Sequence, residues 1–327
     1  MTKVPFYDFR QMTWLAAGYR YYPLGLAMRQ LFGCNVWKVS VDAGFSCPNI
    51  DGTAGSGGCI FCNTRSFAPS RRLTSGLSVA EQITAGIRQL QRRYDAQKFM
   101  AYFQPSTNTY ADVRTLEKLY RSALDHPGIV GLAIGTRPDA LPDDVLDLLQ
   151  RLSAQHYLQL EIGLQSVHQK TLDFLRRGHS YETFLDAFRR ARQRQIRIGV
   201  HLILGVPGED RRDVWATAET IAALQPESVK LHNLYAVKDT PLAELWRAGQ
   251  ITLPSLSEYA GLAVDFLERQ PPELVIERIA GEADTGYLLA PDWAGIKHAA
   301  RNAVDQEFRK RNTFQGYLRQ KSDPGCL

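Results

Sequence analysis

From residue 36 onward the chain alternates short apolar, β-prone runs with longer amphipathic stretches, and this alternation restricts the fold more than any single motif. The runs "VWKVSV", "KFMAYFQ", "GIVGLAI", "YLQLEIG", "RIGVHLIL" and "ESVKLHNL" have the length and β-branched content of strands. Between them, "SVAEQITAGIRQLQRRY", "DVRTLEKLYRSAL", "PDDVLDLLQRL", "YETFLDAFRRARQR" and "RRDVWATAETIAAL" repeat apolar residues at helical spacing. Ser78 with Glu81 has the form of a capping box, and Pro142 followed by Asp143 and Asp144 that of a helix start. Strands joined by crossover helices run parallel, so the pattern is α/β with six βα units in a row.

Six parallel strands fit an open doubly wound sheet or a barrel, and periodicity does not choose between them. The strand ends point to the barrel. "QPSTNTY", "GTRPD", "GLQSVHQ", "GVPGED" and "HNLYAVKDTP" are polar or glycine-rich segments that all follow strands, as at the one-ended active face of a (β/α) barrel. Turn chemistry explains any one of them alone, but poorly explains all together. The expected organisation is an N-terminal extension over 1–35, a core barrel over 36–254 and a C-terminal extension over 255–327. That last part offers one more apolar run, "ELVIERIAG", and a charged helix.

A chain of 327 residues with 44% hydrophobic residues buries a sizeable core. Its start, "MTKVPFYDFRQMTWLAAGYRYYPLG", is broken by charges and prolines, and no apolar run reaches membrane-spanning length. The expectation is a cytoplasmic protein with no membrane partner. The formal charge of +5 is mildly basic. Arginines concentrate in "FLRRGHSYETFLDAFRRARQRQIRIG", where Arg176, Arg189, Arg190 and Arg194 form either a polyanion-facing patch or a solvated helix face.

Three of the five cysteines, Cys47, Cys59 and Cys62, lie within "CPNIDGTAGSGGCIFCN" directly after the first strand. This clustering suits a metal or cluster site in a reducing compartment rather than a disulfide framework. A Cys-x-x-Cys turn supplies two neighbouring sulfurs, and the glycine-rich loop lets Cys47 supply a third. One reading is structural zinc with Cys34 as the fourth ligand. Against it, Cys34 and Cys47 lie at opposite ends of "VWKVSV", and six extended residues span roughly 20 Å. The other reading is a four-iron cluster with three protein ligands and one open iron, which can chelate the amino and carboxylate groups of S-adenosylmethionine (SAM).

A cysteine motif after the first strand that ends Cys-x-aromatic-Cys, with Phe61 as the aromatic, resembles the radical SAM enzymes. The spacing of eleven and then two residues, against the usual three and two, is similar to the YhcC/YtqA-like branch, related to Elp3/MiaB/NifB-type domains. "AYFQPSTNTY", "GLAIGTRPDAL", "LEIGLQSVHQKTLDFLRRGH", "HLILGVPGE" and "KLHNLYAVKDTPLAEL" extend that resemblance along most of the chain. It implies a partial (β/α)6 TIM-like barrel and two cofactors, a [4Fe-4S] cluster on Cys47, Cys59 and Cys62, and SAM. It also implies that Phe61 packs near the adenine and that the segment from Gln104 through Thr107 to Asn108 receives the methionine amino group. Glu161 and Gln165 would face the ribose or methionine end, while Gly205 and the backbone at His232 would shape the adenine pocket. Each has a plainer rival: Glu161 as an ion-pair partner of Arg137, Gly205 as an ordinary strand-to-helix turn.

Arg176, Gly178 and His179 would sit above the barrel mouth by the same resemblance, although a helix C-terminus carries such residues anyway. "VIERIAGE" departs from the branch, with Glu277 where a histidine is usual, while Trp293 and Lys297 match it. Only Cys326 follows Cys62, so no second cysteine set exists for an auxiliary cluster, nor is there room for a separate RNA-binding domain of ordinary size. The resemblance implies hydrogen abstraction by a 5′-deoxyadenosyl radical, with a tRNA wobble-uridine side chain as the leading substrate class and a reductase such as flavodoxin or ferredoxin as electron donor. A small metabolite is the alternative substrate, and a zinc-stabilised nucleic-acid binding module the alternative of another class.

Overall fold

The computed structural model describes residues 12–67 and 76–321. The six expected strands form as β1 Val36–Val41, β2 Lys98–Phe103, β3 Ile129–Thr136, β4 Tyr157–Gln165, β5 Arg197–Leu204 and β6 Ser228–Asn233. The run "ELVIERIAG" supplies a seventh, β7 Val275–Arg278, which pairs parallel with β6. The strands lie side by side in chain order and every neighbouring pair is parallel. They curl into a half-barrel.

The helices of nine residues or more among the described residues are α1 Leu24–Phe32, α2 Val79–Gln91, α3 Val113–Leu124, α4 Asp143–Ser153, α5 Tyr181–Gln193, α6 Arg211–Leu224, α7 Leu256–Leu267 and α8 Ala299–Arg311. Their starts are written in the sequence. The Ser78 hydroxyl accepts from the Glu81 N–H at 3.3 Å while the Glu81 carboxylate accepts from the Ser78 N–H at 2.7 Å. Asp210 and Ser255 form the same reciprocal box at α6 and α7, and Asp112 and Ser180 cap α3 and α5 by accepting from the Thr115 and Thr183 N–H groups, each satisfying backbone donors that have no partner inside the helix.

Strand side chains alternate between two environments. Val39 and Val41, Phe99 to Phe103, Leu132 and Ile134, Leu158 to Leu164, Ile198 to Leu204, Val229 and Leu231 contribute every second residue to one apolar core under the helices. The intervening positions face the barrel interior, and many of them toward the carboxyl ends are small or polar: Gly135, Glu161, Gly163, His201, Lys230 and His232 among them. Period-2 alternation thus separates a core that stabilises the domain from an interior open to chemistry.

The terminal extensions close the structure at its exposed edge and lower end. The Ile276 N–H donates to Tyr22 O at 2.8 Å, so the N-terminal extension runs beside β7 and covers the outermost strand. Trp14 Nε1 reaches Pro272 O at 3.0 Å, and the Gln315 amide holds Pro271 O and Leu274 O at 2.6 and 2.9 Å. Met28 of α1 packs against Met100, Tyr102 and Ala133, filling the interior at the amino ends of the strands. The carboxyl ends remain open. Among the described residues, no helix is long and apolar enough to cross a membrane.

Candidate active site

The carboxyl ends of the strands surround a cavity of about 620 Å³. Cys47, Cys59 and Cys62 line one wall; the segment after β2, the end of β3 with Arg137, the end of β4, His201 and Ile203 of β5, the end of β6 through Tyr235, and Arg278 are among the others. This is where a parallel β/α fold places its ligands, because the connecting loops at this end are free of packing duties.

The cysteine loop is fixed by its neighbours rather than by internal secondary structure. Cys47 O accepts from the N–H groups of Ile50 and Asp51 at 2.8 and 3.1 Å, and the Cys62 N–H closes a turn on Cys59 O at 3.0 Å. Ile60, 2% exposed, anchors the loop in a second apolar cluster with Leu175, Ile203 and Leu234, against which Phe61 also packs. Cys59 is buried, while Cys47 and Cys62 are half-buried.

The donor set suits an iron–sulfur cluster. Three thiols are a soft sulfur set, and the one carboxylate of their loop, Asp51, is engaged by the Thr53 N–H at 3.1 Å and Thr53 Oγ1 at 2.7 Å and does not line the cavity. Cys34, the candidate fourth zinc ligand, is not among the residues lining the cavity, and Cys326 lies outside the described residues. Around the same cavity Thr107 Oγ1, Arg137 Nη1 and Asn233 Nδ2 are buried without a partner. A polar ligand seated there would satisfy them.

Beneath the cavity, Glu161 and Glu277 join Lys38, His201 and Lys230 in a polar layer that no sequence motif marks. Glu161, fully buried, accepts from Lys38 Nζ at 2.6 Å, from His201 Nε2 at 2.7 Å, and from Lys230 Nζ. Glu277 accepts from Lys38 Nζ and from Ser228 Oγ, each at 2.6 Å, and Lys230 Nζ also reaches Tyr102 Oη at 2.9 Å. Burial alone would raise the Glu161 carboxyl, but the Lys230 and Lys38 ammoniums and the His201 N–H hold it well below the usual carboxylate range. Burial and the Lys230 charge push His201 down, so it is neutral and donates from Nε2. Burial followed by Arg278 does the same to His232, whose ring meets the Arg278 guanidinium. The signal was present: Lys38, His201, Lys230 and Glu277 are charged or polar residues at inward positions of otherwise apolar strands.

The structure gathers most of the expected site residues. Phe61, Gln104, Thr107, Glu161, Gln165 and His232 line the cavity with the three cysteines. Gln165 has φ +79° at a register shift of β4 against β5, a backbone conformation that costs energy and that the surrounding bulge sustains. Asn108 and Gly205 are not among the lining residues. The Asn108 amide instead ties Phe103 O and Gly135 O at 3.0 and 2.8 Å. Gly205, at φ +76°, lies where an added Cβ would come within 2.5 Å of Pro254 Cγ.

Several alternatives resolve differently from expectation. Arg137 pairs with Asp139 at 2.9 and 2.7 Å, so it is not the partner of Glu161. Arg176 is exposed, and its neighbour Arg177 turns inward to the cavity. Burial, aided by the Arg177 charge, takes His179 down to about 3. Trp293 donates to Pro254 O at 3.0 Å and its ring sits 5.3 Å from that of Tyr259, which makes it a packing residue, and Lys297 is exposed. Of the four arginines of the candidate patch, Arg190 pairs with Asp186 at 2.7 Å and Asp143 at 3.3 Å, and Arg194 with Asp147 at 2.7 Å and Asp143 at 3.1 Å, while Arg176 and Arg189 are exposed.

Comparison with known proteins agrees with the geometry. Residues 51–221 match the model of the Radical SAM superfamily, and residues 226–310 that of the Radical_SAM C-terminal domain. The chain is 36% identical to the Bacillus subtilis (strain 168) protein YtqA over 92% of this chain and 94% of that protein. It is 40% identical to Escherichia coli (strain K12) YhcC over 80% and 84% respectively. In structure it is similar to archaeal Methanocaldococcus infernus Elp3, with TM-score 0.66 and 18% identity over 86% of this chain and 64% of that one.

Proposed function

Because the chain belongs to the radical SAM superfamily, we propose that Cys47, Cys59 and Cys62 hold a [4Fe-4S] cluster that, when bound, reductively cleaves SAM to a 5′-deoxyadenosyl radical able to abstract hydrogen from a substrate. The protein is a radical SAM enzyme, a family whose members bind such clusters and SAM. The observation that carries the residue assignment is the convergence of three thiols, unpartnered buried polar atoms and the strained Gln165 on one cavity at the carboxyl ends of the strands.

The chain's own residues have definable tasks. Phe61, held on the apolar cluster that includes Ile203 and Leu234, offers a ring face to an adenine. Gln104 and Thr107 present an amide and an unpaired hydroxyl to the methionine end. Gln165 reaches the same space from β4. Glu161 meets it from below as a carboxylate already committed to two lysines and a histidine, so it acts chiefly as a fixed negative centre.

For the substrate, a tRNA wobble-uridine side chain is the leading class, supported by the resemblance to the YtqA-like branch and by the structural likeness to Elp3. A small metabolite is the second reading. It is favoured by the pairing of Arg190 and Arg194 with acidic residues, which leaves less net charge on that face for phosphates.

Anaerobic reconstitution followed by dithionite and SAM tests the chemistry, with 5′-deoxyadenosine as the readout. Alanine at Cys47, Cys59 or Cys62 is expected to abolish iron binding and product, whereas Cys34→Ala retains both. Equal loss of metal in Cys34→Ala would return the site to zinc. Nucleoside analysis of bulk tRNA from cells with and without the gene separates the substrates: unchanged wobble-uridine profiles, in a host with no redundant pathway, would select the small metabolite.

A further inference from the structure

The eleven residues between Cys47 and Cys59, and the "RRGH" segment that the sequence leaves unexplained, meet on a single atom. The sulfur of Cys59 accepts from Arg177 Nη1 at 3.1 Å and from Asn49 Nδ2 at 3.3 Å. Both donors are buried, Arg177 at 7% exposure and Asn49 at 3%. Neither is held there by Cys59 alone. Arg177 Nη2 donates to Gly163 O at 2.9 Å, and Asn49 Nδ2 also donates to Arg176 O at 2.7 Å.

Backbone geometry explains how the pair is positioned. Arg176 and Gly178 both have positive φ, +52° and +69°, and this double turn sends Arg176 outward and Arg177 into the barrel. The same turn docks the cysteine loop, since the Ile60 N–H donates to Leu175 O at 3.2 Å. Asn49 fits only because two glycines flank its head: a Cβ on Gly178 would lie 2.7 Å from Asn49 Oδ1, and one on Gly55 would lie 2.3 Å from it. The long loop thus folds back over Asn49 and presses its amide onto Cys59.

We infer that Arg177 and Asn49 are positioning residues that set the reduction potential of the cluster by donating two N–H bonds, one of them cationic, to the Cys59 thiolate. The inference rests on the cluster reading above. Its sign follows from charge. A four-iron core of charge 2+ with three thiolates sums to −1, and one added electron makes it −2. A fixed guanidinium in a site of low dielectric favours the more negative state, and hydrogen bonds to sulfur act in the same direction. Both residues therefore make the cluster easier to reduce, which is the electron-transfer step that a biological reductase must drive.

The test is a mediated redox titration of the full, reconstituted chain, following the reduced cluster by electron paramagnetic resonance, with iron content measured on each sample. At a fixed solution potential Arg177→Gln is expected to lower the ratio of reduced to oxidised cluster about tenfold, equivalent to about 59 mV for one electron. Asn49→Ala should lower it by a smaller factor, and Arg177→Lys, which keeps the charge, should stay nearest the wild type. Iron-replete Arg177→Gln and Asn49→Ala with unchanged ratios overturn the inference, and a purely structural role predicts that result. If Arg177→Gln loses its iron, Asn49→Ala decides alone by the same criterion. A wild-type chain that binds no iron after reconstitution overturns instead the cluster reading, and the inference with it.

Discussion

Replacing Glu161 by Gln removes one charge from the buried layer at almost constant volume, so neither a cavity nor overpacking contributes to the result. In the wild type Glu161 is fully buried and serves three donors, Lys38, His201 and Lys230. A neutral amide offers one acceptor oxygen and turns an NH2 group toward a remaining donor, while two buried ammoniums are left with Glu277 as their carboxylate. Breaking a buried ion pair on one side costs about 3–5 kcal/mol, against about 0–1 kcal/mol for an exposed pair, and the burial here selects the larger figure. With about 2.1 cal/mol/K of unfolding entropy per residue over 327 residues, that loss lowers the melting temperature by about 4–7 °C.

Differential scanning calorimetry and urea unfolding at neutral pH measure the loss. The double variant Glu161→Gln/Lys230→Met should lose less than the two single changes added together, because it removes the stranded ammonium as well. Acid titration supplies an independent sign. Since the folded carboxyl is held below its unfolded value, its contribution is complete above the ordinary glutamate pKa of about 4.3 and fades as pH falls through the folded value. The stability gap between wild type and Glu161→Gln should therefore be constant from neutral pH down to about 5 and narrow below that. A melting shift under about 1.5 °C, or a gap that widens in acid, would refute the account of this layer.

Other substitutions test the remaining assignments. Gly205→Ala should destabilise by about 1–3 kcal/mol in thermal melts, because the residue holds φ +76° and its new methyl meets Pro254. Asn108→Ala should cost about 1–3 kcal/mol by removing donors from Phe103 O and Gly135 O, and a matching loss of SAM affinity by calorimetry at retained stability would instead make it a ligand contact. Arg190→Glu/Arg194→Glu strands Asp143, Asp147 and Asp186 beside two new carboxylates, so if this face meets tRNA phosphates filter binding should show weaker affinity and a shallower salt slope, and unchanged binding would leave it a solvated helix face.

The sequence by itself determined the local order of the chain and singled out the three thiols proposed as cluster ligands. Strand positions from Val36 to Asn233 and the capping box at Ser78 follow from residue types a few places apart, where periodicity and local hydrogen bonding are decisive. Cys47, Cys59 and Cys62 were legible for the same reason: their spacing is a local fact, and three thiols in one loop restrict the chemistry they can do. Gln104, Thr107 and Gln165 were reached by resemblance, and the fold brings them to the same cavity.

What only the tertiary structure decided involves residues far apart in the chain. Lys38 meets Glu161 across 123 positions and Glu277 across 239, and no local pattern ranks one buried partner above another. Seven-strand closure depends on β7 lying beside β6, a pairing set by packing across the loop and helices that separate them in sequence. "RRGH" gives no hint of which arginine turns inward, because the choice rests on two positive φ values and on the docking of a loop more than a hundred residues earlier. Side-chain chemistry is carried by the sequence, but the direction each polar group faces is a property of the assembled barrel, where the cost of leaving a buried donor or charge unpaired selects its partner.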